Sequence, residues 1–155
     1  MTKNYEIIKD DYLISTDKAL LNIDVMHSYL SKESYWAQHI PREIVEKAVA
    51  NSLCFGLYCN NQQIGFARMI TDTATFAYLA DVFVLEAYRG KGLASWMMEV
   101  ILAHPQLQGL RGILLRTRDA QELYKKFGWE EVSEENRKRF MVRATTSAYP
   151  EPKVE

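Results

Sequence analysis

The stretch with the clearest chemical potential is Arg89-Gly90-Lys91-Gly92-Leu93-Ala94-Ser95. It follows an apolar run, Val82-Phe83-Val84-Leu85, that reads as a buried strand. From Gly92 onward, Leu93, Trp96, Met97, Val100 and Ile101 fall at helical spacing, so a strand feeds a glycine-bearing turn that opens an amphipathic helix. Such a turn can bind an anion. The first amides of a helix lack partners within it, and the helix dipole favours negative charge there. Glycines let a phosphate lie against the backbone without meeting a Cβ, and Arg89 and Lys91 add positive charge. In a partly buried geometry the dipole contributes up to roughly 2 kcal/mol. Several amides acting together suit a pyrophosphate.

Spacing separates the kinds of turn that use this physics. A nucleotide P-loop needs Gly-Lys followed by Ser or Thr, whereas Lys91 is followed by Gly92. A dinucleotide fingerprint needs Gly or Ala three residues after its second glycine, and that position is Ser95. The pattern Arg/Gln-x-x-Gly-x-Gly/Ala is met by Arg89, Gly92 and Ala94. Downstream, Leu123-Tyr124-Lys125-Lys126-Phe127-Gly128-Trp129 matches Leu-Tyr-x-x-x-Gly-Phe with Trp for Phe, and a strand-like Ile113 to Leu115 lies between. In these two segments the C-terminal half resembles the GCN5-related N-acetyltransferases (GNAT), and more closely their small bacterial single-domain members. The N-terminal half is compatible but carries no comparable motif.

The resemblance implies a mixed α/β fold with a mostly antiparallel central sheet flanked by helices, in which two central strands splay apart around acyl-CoA. It places the backbone of Val82, Phe83 and Val84 against the pantetheine arm, with their side chains in the core. It places the pyrophosphate on Arg89, Gly90, Lys91, Gly92, Leu93, Ala94 and Ser95, chiefly on amides, with Ala94 where many members have glycine. Tyr124 corresponds to the tyrosine that protonates the departing CoA thiolate, and Thr117 stands where many members have an asparagine. Some relatives carry a glutamate base on the strand before the short helix, but Gly112-Ile113-Leu114-Leu115 has no carboxylate. The remaining candidate base is Asp81. It lies within Tyr78-Leu79-Ala80-Asp81-Val82-Phe83, where an unpaired buried carboxylate costs several kcal/mol. Asp81 is therefore either a base, acting directly or through water, or a structural carboxylate bonded to backbone or arginine. Tyr35, Trp36 and His39 fall in a connection that often walls the acceptor site in this family. Asp119 is placed to cap the short helix.

The function so implied is acetyl-CoA-dependent N-acetylation of a small-molecule or peptide amine by direct attack, without a metal. The alternative is a non-catalytic acyl-CoA-binding or regulatory module on the same fold. A homodimer is common among such proteins.

The elements that must position these residues follow from the rest of the chain. Its 155 residues make one domain the expectation, drawn at 1–146 with a flexible tail at 147–155. Hydrophobic residues make up 48%, enough for a core. Nineteen basic and twenty acidic residues leave a net charge of −1, so no basic field points to nucleic acid. Cys54 and Cys59 share one expected strand, too far apart to bridge, and read as reduced residues of a cytoplasmic protein. The start of the chain lacks the apolar segment of a signal peptide, and no run approaches the ~20 apolar residues that span a bilayer.

Periodicity and turn residues predict a first strand within Tyr5 to Ser15, a helix from about Asp17 to Leu30, and a second helix after Pro41. Strands are expected at Leu53 to Tyr58, Gln63 to Ile70 and Thr75 to Leu85. The helix from Gly92 should stop before Pro105. A strand at Gly112 to Arg116, a helix at Ala120 to Phe127 ended by Gly128, and two last strands at 130–132 and 140–143 complete the expectation.

Overall fold

A computed structural model describes residues 3–144 and 149–154. Six strands form one sheet in chain order: β1 (Glu6–Lys9), β2 (Tyr12–Ser15), β3 (Leu53–Cys59), β4 (Gln62–Thr71), β5 (Phe76–Val84) and β6 (Gly112–Leu115). The first five pair antiparallel and β6 joins β5 parallel, after a helical crossover. The tight β3–β4 turn uses Asn60 and Asn61, both at positive φ (49° and 63°), the backbone that twists a hairpin correctly. Asp10, at φ 53°, makes a similar turn and splits the single first strand expected from sequence into a hairpin.

The first predicted helix is broken. Asp17 caps a 3₁₀ turn over Lys18–Leu20, its carboxylate accepting from the Ala19 amide at 2.9 Å. Asn22 then caps a new start, accepting from the Val25 amide at 3.2 Å, and α1 (Ile23–Ser28) passes into a wider π-type turn over Tyr29–Glu33. Two good capping side chains five residues apart favour two short starts over one long helix. α2 (Arg42–Ala50) begins after Pro41 and α3 (Leu93–Leu102) follows the glycine turn, both as expected.

The two faces of the sheet bury different helices. Ile14, Phe55, Leu57 and Met69 pack with Trp96, Met97 and Ile101 of α3 on one face. Cys54, Phe66 and Phe83 pack with Met26, Leu30, Val45 and Val49 of α1 and α2 on the other. Full burial of each large apolar side chain contributes roughly 1.5–3 kcal/mol, so α3 is fixed by its whole inner stripe.

The last two predicted strands do not form. Residues 130–132 have no regular structure. Ser133 instead caps a short helix, α5 (Glu134–Arg137), its hydroxyl accepting from the Asn136 amide at 3.2 Å. Phe140, Met141 and Val142 are exposed and unpaired with the sheet. A capping serine followed by two glutamates outweighs the weak strand propensity of its surroundings.

Candidate active site

The site begins with a defect in β5. Phe66 faces Phe83 and Arg68 faces Ala80, so Ala67 alone opposes both Asp81 and Val82, which is a β-bulge. Asp81 occupies it at φ 54°, a left-handed backbone that aspartate tolerates better than most residues. The bulge is visible in the packing. Ala77 and Leu79 point to the α3 face, but beyond Asp81 the alternation slips by one residue, so Val84 faces α3 and Phe83 faces α1 and α2.

The same defect opens the sheet. β5 pairs with β6 only from Phe76–Gly112 to Leu79–Leu115, then runs on to Val84 against β4 alone. A bulge bends and twists its strand, and here the bend falls where β5 leaves β6. A cavity of about 700 Å³ fills the gap, lined by Leu79 to Val82 on one lip and by Leu115 to Ala120 with Tyr124 on the other. That volume suits a small-molecule ligand. Phe83 and Val84 are buried, so what β5 offers there beyond Val82 is main chain.

At the end of β5 the turn takes the expected form. Gly90 and Gly92 lie at φ 77° and 75°, and a Cβ on either would meet open space. Glycine is needed here for the backbone angle rather than for room. Gly92 stands at the N-cap of α3 without a side-chain cap; its carbonyl accepts from the Trp96 amide at 3.0 Å. The amides of Leu93, Ala94 and Ser95 therefore belong to the unpaired first turn of a ten-residue helix. Lys91 reaches over the Tyr88 ring at 5.6 Å. Arg89 is placed differently from the expectation. Its Nε donates to the Val84 carbonyl at 2.9 Å and its Nη2 to the Tyr29 hydroxyl at 3.1 Å. The guanidinium thus clamps the end of β5 to the π-type turn that follows α1, while Gly90, Lys91 and Gly92 beyond it are exposed.

Tyr124 lies in α4 (Gln121–Lys125), is 8% exposed, and meets Trp129 edge-on at 5.6 Å between ring centres. It borders the main cavity and also a second one behind β6. Burial, with smaller contributions from Tyr35 and Asp119, pushes its phenol up to about 12, so the hydroxyl keeps its proton at neutral pH. Gly128 ends this segment at φ 95°, as its position predicts. Thr117, not Asp119, braces the start of α4, accepting from the Ala120 amide at 3.1 Å.

Asp81 sits in the cavity wall with both carboxylate oxygens engaged. Oδ1 accepts from Trp36 Nε1 at 2.8 Å, and Oδ2 from Arg68 Nε at 2.7 Å. The two side chains of the ion pair are 11% and 16% exposed, and Arg68 also donates to the Ser52 hydroxyl at 3.1 Å. The connection between α1 and α2 spans the cavity. Buried Ser34 folds it, donating to the Leu30 carbonyl at 2.6 Å and accepting from the Ala37 amide at 3.1 Å. Trp36 then reaches the β5 lip through Asp81, while the Tyr35 hydroxyl accepts from the Arg118 amide at 2.8 Å on the β6 lip. The Arg118 guanidinium lies 3.9 Å over the Tyr35 ring. Tyr35 and Trp36 thus line the cavity, with Ala37 and Ile40 beyond them; His39, at φ 65°, does not line it.

Three site residues escaped sequence reading. Arg68 carried a signal, a lone charge inside the apolar run Ile64 to Ile70 that needs a buried partner. Tyr29, stacked on Phe83 at 4.1 Å and bonded to Arg89, resembled any core tyrosine. Tyr149, which also lines the cavity, lay in a stretch read as tail.

A cavity between parting strands, one of which runs on to uncapped helix amides, is the arrangement expected of an acyl-CoA acetyltransferase. Residues 50–131 match the acetyltransferase (GNAT) domain family. A protein of Gibberella zeae named as an acetyltransferase is 35% identical over 148 residues, covering 81% of this chain and 82% of that one. The chain belongs to the GNAT acetyltransferase family. A GNAT-family crystal structure from Xanthomonas campestris pv. campestris is 43% identical, with a TM-score of 0.82 over 86% of this chain and 93% of that one. The GNAT fold also extends to a structure from Elizabethkingia anophelis with acetyl-CoA bound, at 16% identity, a TM-score of 0.62 and coverage of 95% and 90%. The bulge at Asp81, the glycine turn and Tyr124 all fall within the residues that match this family. Among the described residues, no helix is long and apolar enough to cross a membrane.

Proposed function

We propose that this chain transfers the acetyl group of acetyl-CoA to a primary amine by direct attack of the amine on the thioester. The observation that carries this reading is that the parted β5 edge and buried Tyr124 line one cavity, while β5 itself runs on to the open first turn of α3. The pyrophosphate lies on the amides of the turn from Gly90 to Ser95, with Lys91 as its nearby cation. Arg89 supports the turn from beneath. The pantetheine arm runs along the backbone of Val82 to Val84, and the thioester comes to rest between Asp81 and Tyr124.

Tyr124 acts on the leaving group. Full transfer of its proton, at about 12, to a thiolate whose acid is near ~8.5 costs roughly 5 kcal/mol. The phenol therefore stabilises the developing thiolate as a hydrogen-bond donor, with the proton following from the amine. Asp81 positions Trp36 and Arg68, and the free lone pairs of its two oxygens hold a water that relays the amine proton to the departing thiolate. Neither cysteine lines the cavity. Burial pushes the Cys54 thiol up to about 11, where it is a poor nucleophile, which favours direct attack over an acetylated cysteine.

The deciding experiment is calorimetric titration with acetyl-CoA and CoA, followed by a thiol-release assay over amines and peptides. Micromolar binding with release on at least one amine is expected. No binding of acetyl-CoA would overturn the cofactor assignment.

A further inference from the structure

The described part of the C-terminal segment, 149–154, does not hang free of the cavity. Tyr149 is only partly exposed and lines the same cavity as Trp36, Ile40, Asp81 and Tyr124. It packs against the cluster that holds Tyr29, Leu30, Ala37 and Ile40. This is the side of the α1–α2 connection. The residues after it, Pro150 to Val154, are all exposed. One aromatic side chain therefore anchors the segment.

The chemistry of the segment suits docking. Tyr149 and Glu151 each precede a proline, which biases both towards extended backbone. An extended Tyr-Pro-Glu-Pro run loses little conformational freedom when held. A tyrosine brings a large apolar contact with only two side-chain torsions to fix. The cavity wall it meets is aromatic and polar, with Tyr35, Trp36 and Tyr78 beside Asp81.

We infer that the acceptor side of this cavity is a binding site for an extended peptide bearing an aromatic side chain, and that the chain's own Tyr149 is its resting occupant. The inference rests on the N-acetyltransferase reading only in naming that side for the acceptor. A tethered segment competes at millimolar effective concentration, so a peptide acceptor must displace Tyr149 before its amine reaches the thioester. Amines too small to contact that wall pass beside it.

The test uses the full chain and a synthetic peptide of sequence 147–155. The Tyr149→Ala chain should bind this peptide by calorimetry, and the unsubstituted chain should bind it at least about tenfold more weakly because its own segment competes. The same peptide with alanine at 149 should bind neither. Absence of binding to the Tyr149→Ala chain, or equal binding to both chains, overturns the inference. A thermal melt checks that the variant is folded. A second measurement needs no substitution: nitration of Tyr149 by tetranitromethane, read by peptide mass, should be at least about tenfold slower in the native chain than in the free peptide, and equal rates overturn the inference. Acetyl-CoA titration of both chains reports separately. If the peptide binds as expected and acetyl-CoA does not bind at all, peptide docking stands and the transferase reading falls.

Discussion

The two sides of the cavity are built by different means. The side we propose for the cofactor is made of backbone: the unpaired edge of β5 and, where that strand leads, two glycines at positive φ and the first amides of α3. The side we propose for the acceptor is made of side chains brought from distant parts of the chain. Trp36 meets Asp81 across 45 positions, Tyr35 meets Arg118 across 83, and Tyr149 closes on the α1–α2 connection. A backbone site depends on local conformation and tolerates most side-chain changes around it. A side-chain site depends on the folded whole, and any one residue can be exchanged to change what fits. One cofactor shared by a family and acceptors that differ within it are what this division of labour allows.

The largest effect that separates the two sides belongs to Gly92→Glu. It forces a side chain onto φ 75° and puts negative charge where we propose that the pyrophosphate binds. Because a Cβ there meets nothing, the fold should persist while acetyl-CoA affinity falls about 100-fold or more, roughly 2.7 kcal/mol. Unchanged affinity by calorimetry would place the phosphates elsewhere.

Next comes the buried pair. Asp81→Asn keeps a residue that tolerates φ 54° but leaves Arg68 without its countercharge, and should lower stability by about 3 kcal/mol in urea unfolding. Arg68→Met alone should cost a similar amount, and the double variant should recover most of it. Additive losses would show that the two residues act separately and that Asp81 is held by Trp36 alone. In none of these variants should CoA affinity fall as it does in Gly92→Glu.

Tyr124→Phe should reduce turnover by about 100-fold, the lower end for losing one hydrogen-bond donor to developing negative charge, with CoA affinity spared. Equal turnover would remove Tyr124 from the chemistry. The pH dependence has a definite sign. The folded phenol at about 12 lies above the ordinary ~10, so its contribution to stability is complete below pH ~10 and is lost as pH rises towards 12. Removing Tyr124 should therefore flatten the alkaline fall in stability between those values. No activity loss from Tyr124 ionisation is expected up to pH ~10.

The smallest effect is Trp36→Phe. It keeps an aromatic wall and removes one hydrogen bond to Asp81, at a cost of about 1 kcal/mol. Acceptor KM should rise with acetyl-CoA affinity unaltered. A change in the opposite sense, in cofactor affinity alone, would move Trp36 to the other side of the cavity.

Much of this protein is written in short windows of its sequence. The glycine turn, the inner stripe of α3, the Asn60-Asn61 hairpin and the cap at Gly128 are local, and each is set by residues within one turn of helix or one hairpin. Their physics needs no partner from elsewhere, so pattern alone located the glycine turn and the family. Only the tertiary structure decided the rest. Whether Asp81 was a base or a pair to an arginine depended on Arg68, thirteen residues away on the neighbouring strand. The bulge that opens the sheet depended on register between two strands, which no single strand encodes. The two missing strands, the broken first helix and the place of Tyr149 were settled by competition: capping side chains against weak propensities, and one apolar ring against the freedom of a polar tail. Local conformation is a property of neighbours in sequence, whereas burial, pairing and register exist only once distant segments have met.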